Sequence, residues 1–181
     1  MARRGHPHPH TGQVPLPALP DGAGRTACEF VTPPPPTWQE HGAAWAAACQ
    51  AHLWQGEGSR ALAYLHGRGL GDDTIRTCGL GYQPKDTYED RTLWGLTTGP
   101  EAKAACLPRG IVIPWQIEGE LWRINVRRPV TAKQIAGGEP KYIGPAGFAN
   151  ALYNADAIAE GKPVLLLEGE IDAMTAMQEA P

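Results

Sequence analysis

Residues 162–180 read KPVLLLEGEIDAMTAMQEA. Four apolar residues in a row, Val164 to Leu167, run into Glu168-Gly169-Glu170, and a helix-like stretch carrying Asp172 follows. A strand with one wet face alternates; an apolar run without alternation implies burial on both faces, as in a parallel sheet. The stretch therefore reads as strand, turn and helix, the first β-α unit of a doubly wound arrangement. Three carboxylates within five positions then need a reason, because burying an acid is costly without a positive partner. Glu170 and Asp172 have one: they fall in the first helical turn, where the helix dipole favours negative charge. Glu168 does not. It ends a buried strand at the place where α/β folds hold ligands. A hard divalent ion such as Mg²⁺, sharing one or two carboxylates with substrate phosphates, would meet its need. With one glycine and the wrong charge, the turn is neither a P-loop nor a dinucleotide fingerprint.

Upstream, residues 109–129 read RGIVIPWQIEGELWRINVRRP. GIVIPW is a buried strand, IEGE a turn, and ELWRINVRRP a returning strand with strict alternation. Trp122, Ile124 and Val126 point one way; Arg123, Asn125 and Arg127 point the other. Such a strand is half buried, and its cationic face is suited to phosphates, or else it is an edge strand guarded by charge against aggregation. Before this hairpin the period is helical. Thr37 with Glu40 forms a capping box, and Trp38, Trp45, Cys49 and Leu53 share one helical face. Ser59 opens a second helix through Leu62 and Leu65 that stops at the glycines of HGRGL. DDTIRTC is a third, closed by the turn chemistry of GLGYQP. After the hairpin, the glycine-rich QIAGGEPKYIGPAG precedes NALYNADAIAEG, read as a short helix ended by Gly161.

The chain has 181 residues, 42% of them hydrophobic, enough for one domain or one and a half with a real core. Half of its 18 prolines fall in residues 1–36, which read as a disordered, polyproline-rich arm; His6, His8 and His10 belong to that solvated tail. No apolar run reaches the length of a membrane span, and the basic start lacks the apolar core of a secretory signal. Cys28, Cys49, Cys78 and Cys106 form no CxxC pair, so neither a zinc site nor a disulfide framework is expected. A cytoplasmic protein with reduced thiols follows. The net charge of −3 hides a gradient: residues 109–143 carry six Lys/Arg against three Asp/Glu, and residues 144–181 one Lys against six acids. A basic stretch followed by an acidic one fits a site that handles phosphate chains and metal ions, and also fits an ordinary solvated surface.

Four motifs in one order carry a resemblance. VLLLEGEIDAMTAM resembles the opening of a Toprim domain, the metal-binding module of DnaG-type primases, topoisomerases and related nucleases. AYLHGRGLGDDTIRTCGLGYQPK resembles the helical start of the primase polymerase core. RGIVIPWQIEGELWRINVRRP resembles the strand pair that follows it, and PKYIGPAG with ALYNAD the link into Toprim. Together they span about Arg60 to Gln178, and the Glu-Gly-Glu-Ile-Asp variant is closer to phage and plasmid primase-helicases than to cellular primases. The resemblance implies an α/β protein: an α+β N-terminal subdomain joined to the first β-α unit of a Toprim domain with a parallel sheet. Its divisions would be an arm over 1–36, a helical lead-in over 37–59, the core subdomain over 60–157 and an incomplete Toprim domain over 158–181.

The implied activity is nucleotidyl transfer, a DNA primase making short RNA primers on a single-stranded DNA template from ribonucleoside triphosphates with Mg²⁺ (or Mn²⁺). A replicative helicase, fused or separate, is the further implied partner. Carried over by motif, Glu168 is the catalytic acid near the metal, as ligand or general acid/base. Arg127 and Lys141 contact nucleic acid or incoming nucleotide, Arg123 joins them by strand alternation, and Asp172 organises the turn. Two features depart from the family: residues 1–59 lack its zinc-binding Cys/His spacing, and its second acidic cluster would lie beyond Pro181. Phosphoryl transfer by metal ions needs several carboxylates, so the expectation is a partial polymerase, inactive as this chain. Two alternatives stand beside it: a non-catalytic module that grips single-stranded DNA or a helicase, with Trp115 or Trp122 as stacking platforms, and a Toprim nuclease or topoisomerase fragment.

Overall fold

A computed structural model of the chain describes residues 32–97 and 104–180; the expected arm lies outside the described residues as far as residue 31. In chain order the helices and strands are α1 (Pro36–Leu53), α2 (Ser59–Gly67), α3 (Asp72–Thr77), β1 (Gly81–Gln83), β2 (Thr87–Glu89), β3 (Ala105–Leu107), β4 (Gly110–Ile117), β5 (Glu120–Arg127), α4 (Ala132–Ala136), β6 (Tyr142–Ile143) and α5 (Glu170–Glu179). Short 3₁₀ turns sit at Gly56–Gly58, Arg91–Trp94 and Ala155–Ala157. The fold is mixed α/β. One sheet runs β1-β4-β5-β6, a second pairs β2 with β3, and every described pairing is antiparallel.

The β4–β5 hairpin organises the rest. Its two-residue turn puts both Glu118 (φ 52°) and Gly119 (φ 81°) in the left-handed region, the geometry that matches the twist of a tight hairpin. Side chains alternate across it, and two cores result. On one face Val112, Leu121, Ile124 and Val126 pack with Trp38 and Cys49 of α1 and with Trp94, Ala105 and Leu107. On the other, Ile111 and Ile113 pack with Leu53, Leu65, Leu70, Ile75, Leu80, Ile171 and Met174. β1 crosses α1 so closely that a Cβ on Gly81 would lie 2.7 Å from the Cβ of Cys49, so only glycine fits there.

Several expectations change. α1 begins at Pro36, whose fixed φ suits the first helical position, so Thr37 lies inside the helix and the Thr37–Glu40 capping box does not form. A capping box does form at α4, where Thr131 and Gln134 satisfy each other's backbone. The alternation of β5 is broken by a register shift: Trp115 faces Arg123, and Gln116 faces Leu121, leaving Trp122 without a partner. Leu121 therefore takes the core position beside Ile124 and Val126 that Trp122 was expected to hold. NALYNADAIAEG keeps one 3₁₀ turn, started by Asn154 in the left-handed region (φ 58°), in place of a helix.

The largest correction concerns PVLLL. Residues 164–167 form no strand, and Leu165 and Leu166 are 71% and 76% exposed. β6, the edge strand of the larger sheet, is two residues long, and no described strand lies beside 164–167. An extended segment gains its backbone hydrogen bonds only from a neighbour, and apolar character does not replace them. The expected helix does follow, as α5.

Candidate functional site

The face of the sheet that carries Ile111 and Ile113 also carries the arginines. In the β4–β5 register Arg127 lies opposite Ile111, Asn125 opposite Ile113 and Arg123 opposite Trp115, and residues directly opposed share a face. That face is not the open one the alternation implied. α5 covers part of it through Ile171 and Met174, so Asn125 is buried and both arginines are half buried.

Arg123 is held on three sides. Its Nε donates to Asn125 Oδ1 at 2.8 Å, and its guanidinium carbon lies 4.1 Å from the Phe148 ring centroid and 5.1 Å from that of Trp115. Phe148 reaches this place because its loop is fastened at both ends. Trp38 Nε1 donates to the Ala146 carbonyl at 2.8 Å, and the Ala149 amide donates to the Trp122 carbonyl at 3.0 Å. Gly147 between them has φ 92°, and a Cβ there would run into Leu96 and the Trp38 ring. Trp115 meets Tyr153 edge to face at 5.7 Å, and its indole Nε1 is buried with no hydrogen-bond partner among the described residues.

Arg127 is placed differently. Its guanidinium stacks 4.3 Å above the ring of Tyr64 from α2, and it also hydrogen-bonds Tyr142, its neighbour on β6. Burial pushes the Tyr142 hydroxyl up, the negative charge of Glu170 adds to that, and Arg127 opposes it by charge and hydrogen bond. Tyr153 is raised further, by burial first and then by Cys78 and Glu170. Burial lowers Arg123 from the ordinary guanidinium value, and Glu170 works against the drop. Lys141 is exposed just before β6, its Nζ 5.6 Å from the Tyr142 ring.

The three acids go three ways. Glu168 is exposed and makes no hydrogen bond among the described residues. Asp172 pairs on the surface with Arg68 Nη2 at 2.7 Å, a partner far from the 168–170 turn in sequence. Glu170, 8% exposed, lies in the face itself and accepts from Asn125 Nδ2 at 2.5 Å. A cleft of about 670 Å³ opens between this face and the 163–169 segment, lined by Trp115, Arg123, Asn125, Tyr142, Tyr153, Glu168 and Glu170 among others. Glu168 and Arg123 thus line one cleft, which Arg127 and Lys141 do not. The acid that the dipole argument set aside, Glu170, is the buried one. Its signal was available: Glu170 stands four residues before Met174, so the two share a helix face, and Met174 is core.

Among the described residues no three His, Cys, Asp or Glu side chains gather as a metal cluster. Glu170 is engaged by Asn125 and Asp172 by Arg68, which leaves Glu168 alone. One free carboxylate does not fit a two-metal centre for phosphoryl transfer, and no chemical step is assigned to a metal ion here. What the arrangement can do is bind. It offers guanidinium groups stacked on aromatic rings and, beside Arg123, a cleft of about 670 Å³.

No family model matches the chain, and no curated protein matches it. Solved structures do. The RNA polymerase domain of Mycobacterium tuberculosis primase DnaG is similar at 21% identity and a TM-score of 0.44, covering 59% of this chain and 38% of that one. The same domain in complex with a double-stranded DNA oligomer bearing a 6-nucleotide overhang gives 22% and 0.44, covering 59% and 37%. A DnaG primase catalytic domain bound to ssDNA gives 18% and 0.47, covering 60% and 38%. The chain thus spans less than two fifths of the length of each of these structures. Among the described residues, no helix is long and apolar enough to cross a membrane.

Proposed function

We propose that this chain is part of a DnaG-type DNA primase core and that its β4–β5–β6 face grips a single-stranded DNA template for RNA primer synthesis. The observation that carries the reading is the pairing of Arg123 and Arg127 with aromatic rings on one sheet face. Single-stranded nucleic acid is held by a cationic track along its backbone and by rings on which bases stack, and stacking tolerates any base. Lys141, exposed just before β6, would meet a further phosphate of the template or of an incoming ribonucleoside triphosphate. The four sequence motifs support the primase assignment over a generic single-strand binder.

Nucleotidyl transfer is a separate matter. It would need Mg²⁺ or Mn²⁺ as Lewis acid, and Glu168, which lines the cleft and makes no hydrogen bond among the described residues, could supply only one of the several carboxylates such ions require. Because the described acids diverge, the chain by itself is proposed to bind template without joining nucleotides, which also keeps the non-catalytic module in view. The test is fluorescence anisotropy with a labelled single-stranded oligonucleotide across a salt series, for the wild type and R123A/R127A. Weaker affinity in the double variant is expected, with a log–log salt slope shallower by about 0.7 for each phosphate that is no longer neutralised. Unchanged affinity and slope would return both arginines to an ordinary solvated face.

A further inference from the structure

Glu170 is a buried acid with an unusual neighbour. A carboxylate under 10% exposed is normally met by a cation or several donors, yet among the described residues its one direct side-chain bond is from the neutral amide of Asn125. That amide is committed on both sides. Asn125 Nδ2 donates to Glu170 Oε1, and Asn125 Oδ1 accepts from Arg123 Nε. A carboxylate only accepts and a guanidinium only donates, so the two ends fix which way the Asn125 amide is turned. The chain Glu170–Asn125–Arg123 therefore has one polarity. It consumes the Nε–H of Arg123, while its terminal Nη groups make no hydrogen bond among the described residues.

We infer that Glu170 is a positioning residue: acting through Asn125, it holds Arg123 flat between Phe148 and Trp115 with its terminal fork presented to the cleft. The ligand class this serves is a phosphate oxygen flanked by a base, since a fixed fork reads paired anionic oxygens and the adjoining rings accept a planar group. The inference rests on the template-binding reading and adds to it a residue of α5 that acts through Asn125 on Arg123. It also explains the placement of an acid in a cationic face. Taken as a charge alone, Glu170 would oppose phosphate binding; taken as an acceptor, it removes the freedom that Arg123 would otherwise lose on binding.

These two roles are separable, because E170A and E170Q remove the same charge but only E170Q keeps an acceptor for Asn125. Two measurements on the full chain decide. The first needs no ligand: exchange with water of the Arg123 Nε–H, followed by ¹⁵N-resolved NMR. Wild type and E170Q are expected to exchange slowly, E170A and N125A at least about tenfold faster, the factor of one good hydrogen bond to a charged group. Equal exchange in all four, even with a lowered melting temperature in E170A, overturns the inference and leaves Glu170 a packing residue. The second is affinity for a single-stranded oligonucleotide. E170A is expected to bind roughly tenfold more weakly, E170Q at least as tightly as wild type, and neither change is expected in an R123A background. Equal tightening by E170A and E170Q would show a simple opposing charge and overturn it too. If the wild type binds no oligonucleotide, the template-binding reading fails, while the exchange measurement still decides the positioning.

Discussion

Arg68, just past α2, and Asp172, in the first turn of α5, meet at 2.7 Å across 104 residues of chain, and Gln178 fastens the other end of the same helix. The Gln178 Oε1 accepts from the Gly71 amide at 2.7 Å and from Thr74 Oγ1 at 2.9 Å, and its Nε2 donates to the Gly69 carbonyl at 3.0 Å. The two fastenings are unequal. Arg68 and Asp172 are about half exposed, and pairs of that kind contribute about 0–1 kcal/mol. Gln178 makes these three hydrogen bonds, two of them to backbone groups, with net gains of about 0.5–1.5 kcal/mol per bond. Gln178→Ala is therefore expected to destabilise by about 1–3 kcal/mol, and Asp172→Ala by less than about 1 kcal/mol. Urea unfolding followed by tryptophan fluorescence measures both; a larger loss from Asp172→Ala would reverse the ranking.

Trp38 and Trp122 look alike in the sequence and differ in the fold. Trp38 is fully buried, meets Trp94 edge to face at 5.6 Å and holds the Phe148 loop through Ala146. Trp122 is displaced by the register shift and belongs to neither core. Trp38→Ala should cost about 3–5 kcal/mol, and Trp122→Ala about 1–2 kcal/mol. Denaturation midpoints compare them directly. Equal losses would mean that Trp122 is packed as strict alternation requires.

The helices and the hairpin were legible because their signals are local: helical spacing in α1 to α3, and an apolar strand, a glycine turn and an alternating strand for β4 and β5. What was not legible depended on distant partners. PVLLL has the composition of a buried strand, but a strand is completed by its neighbour, and none of the described strands lies beside it. Trp122 was misplaced by one extra residue in the ladder, which alternation cannot reveal. The arginines were found because period two put them on one face. Tyr64 and Phe148, which stack on them, come from α2 and from a loop whose path is set by Trp38 far upstream. Glu170 satisfies the helix-dipole argument, but its place four residues before the core residue Met174 puts it on the buried face of α5, where it meets Asn125.

The exposure of Leu165 and Leu166 makes its own test. Buried in a parallel strand, either leucine would tolerate aspartate poorly, at a cost of several kcal/mol. Exposed as they are, Leu165→Asp and Leu166→Asp should each stay within about 0.5 kcal/mol of wild type and raise solubility. Thermal melting of the two single variants checks this. A drop of several kcal/mol in either would restore the buried strand.

Cys49 sets the alkaline limit. It lies at zero exposure between α1 and the sheet, its Sγ donating to Gln83 Oε1 at 3.5 Å, and burial pushes its thiol from an ordinary value of 9.0 up to about 12. With the folded value above the unfolded one, the folded state keeps its proton where the unfolded state has lost it. Stability from this group is thus complete below about pH 9 and falls as pH rises toward 12, by up to about 1.4 kcal/mol per pH unit. Tyr153 and Tyr142, also raised, add a decline that begins only above the ordinary tyrosine value of 10.0. Between pH 9 and 10 the slope belongs to the thiols, with the raised Cys78 and Cys106 adding to Cys49. Cys49→Ala, which leaves a small cavity but nothing to ionise, should lower stability at pH 8 and flatten the decline in that window. Urea midpoints from pH 8 to 10.5 under reducing conditions give both quantities. An unchanged slope in Cys49→Ala would mean that the thiol ionises as readily in the fold as out of it.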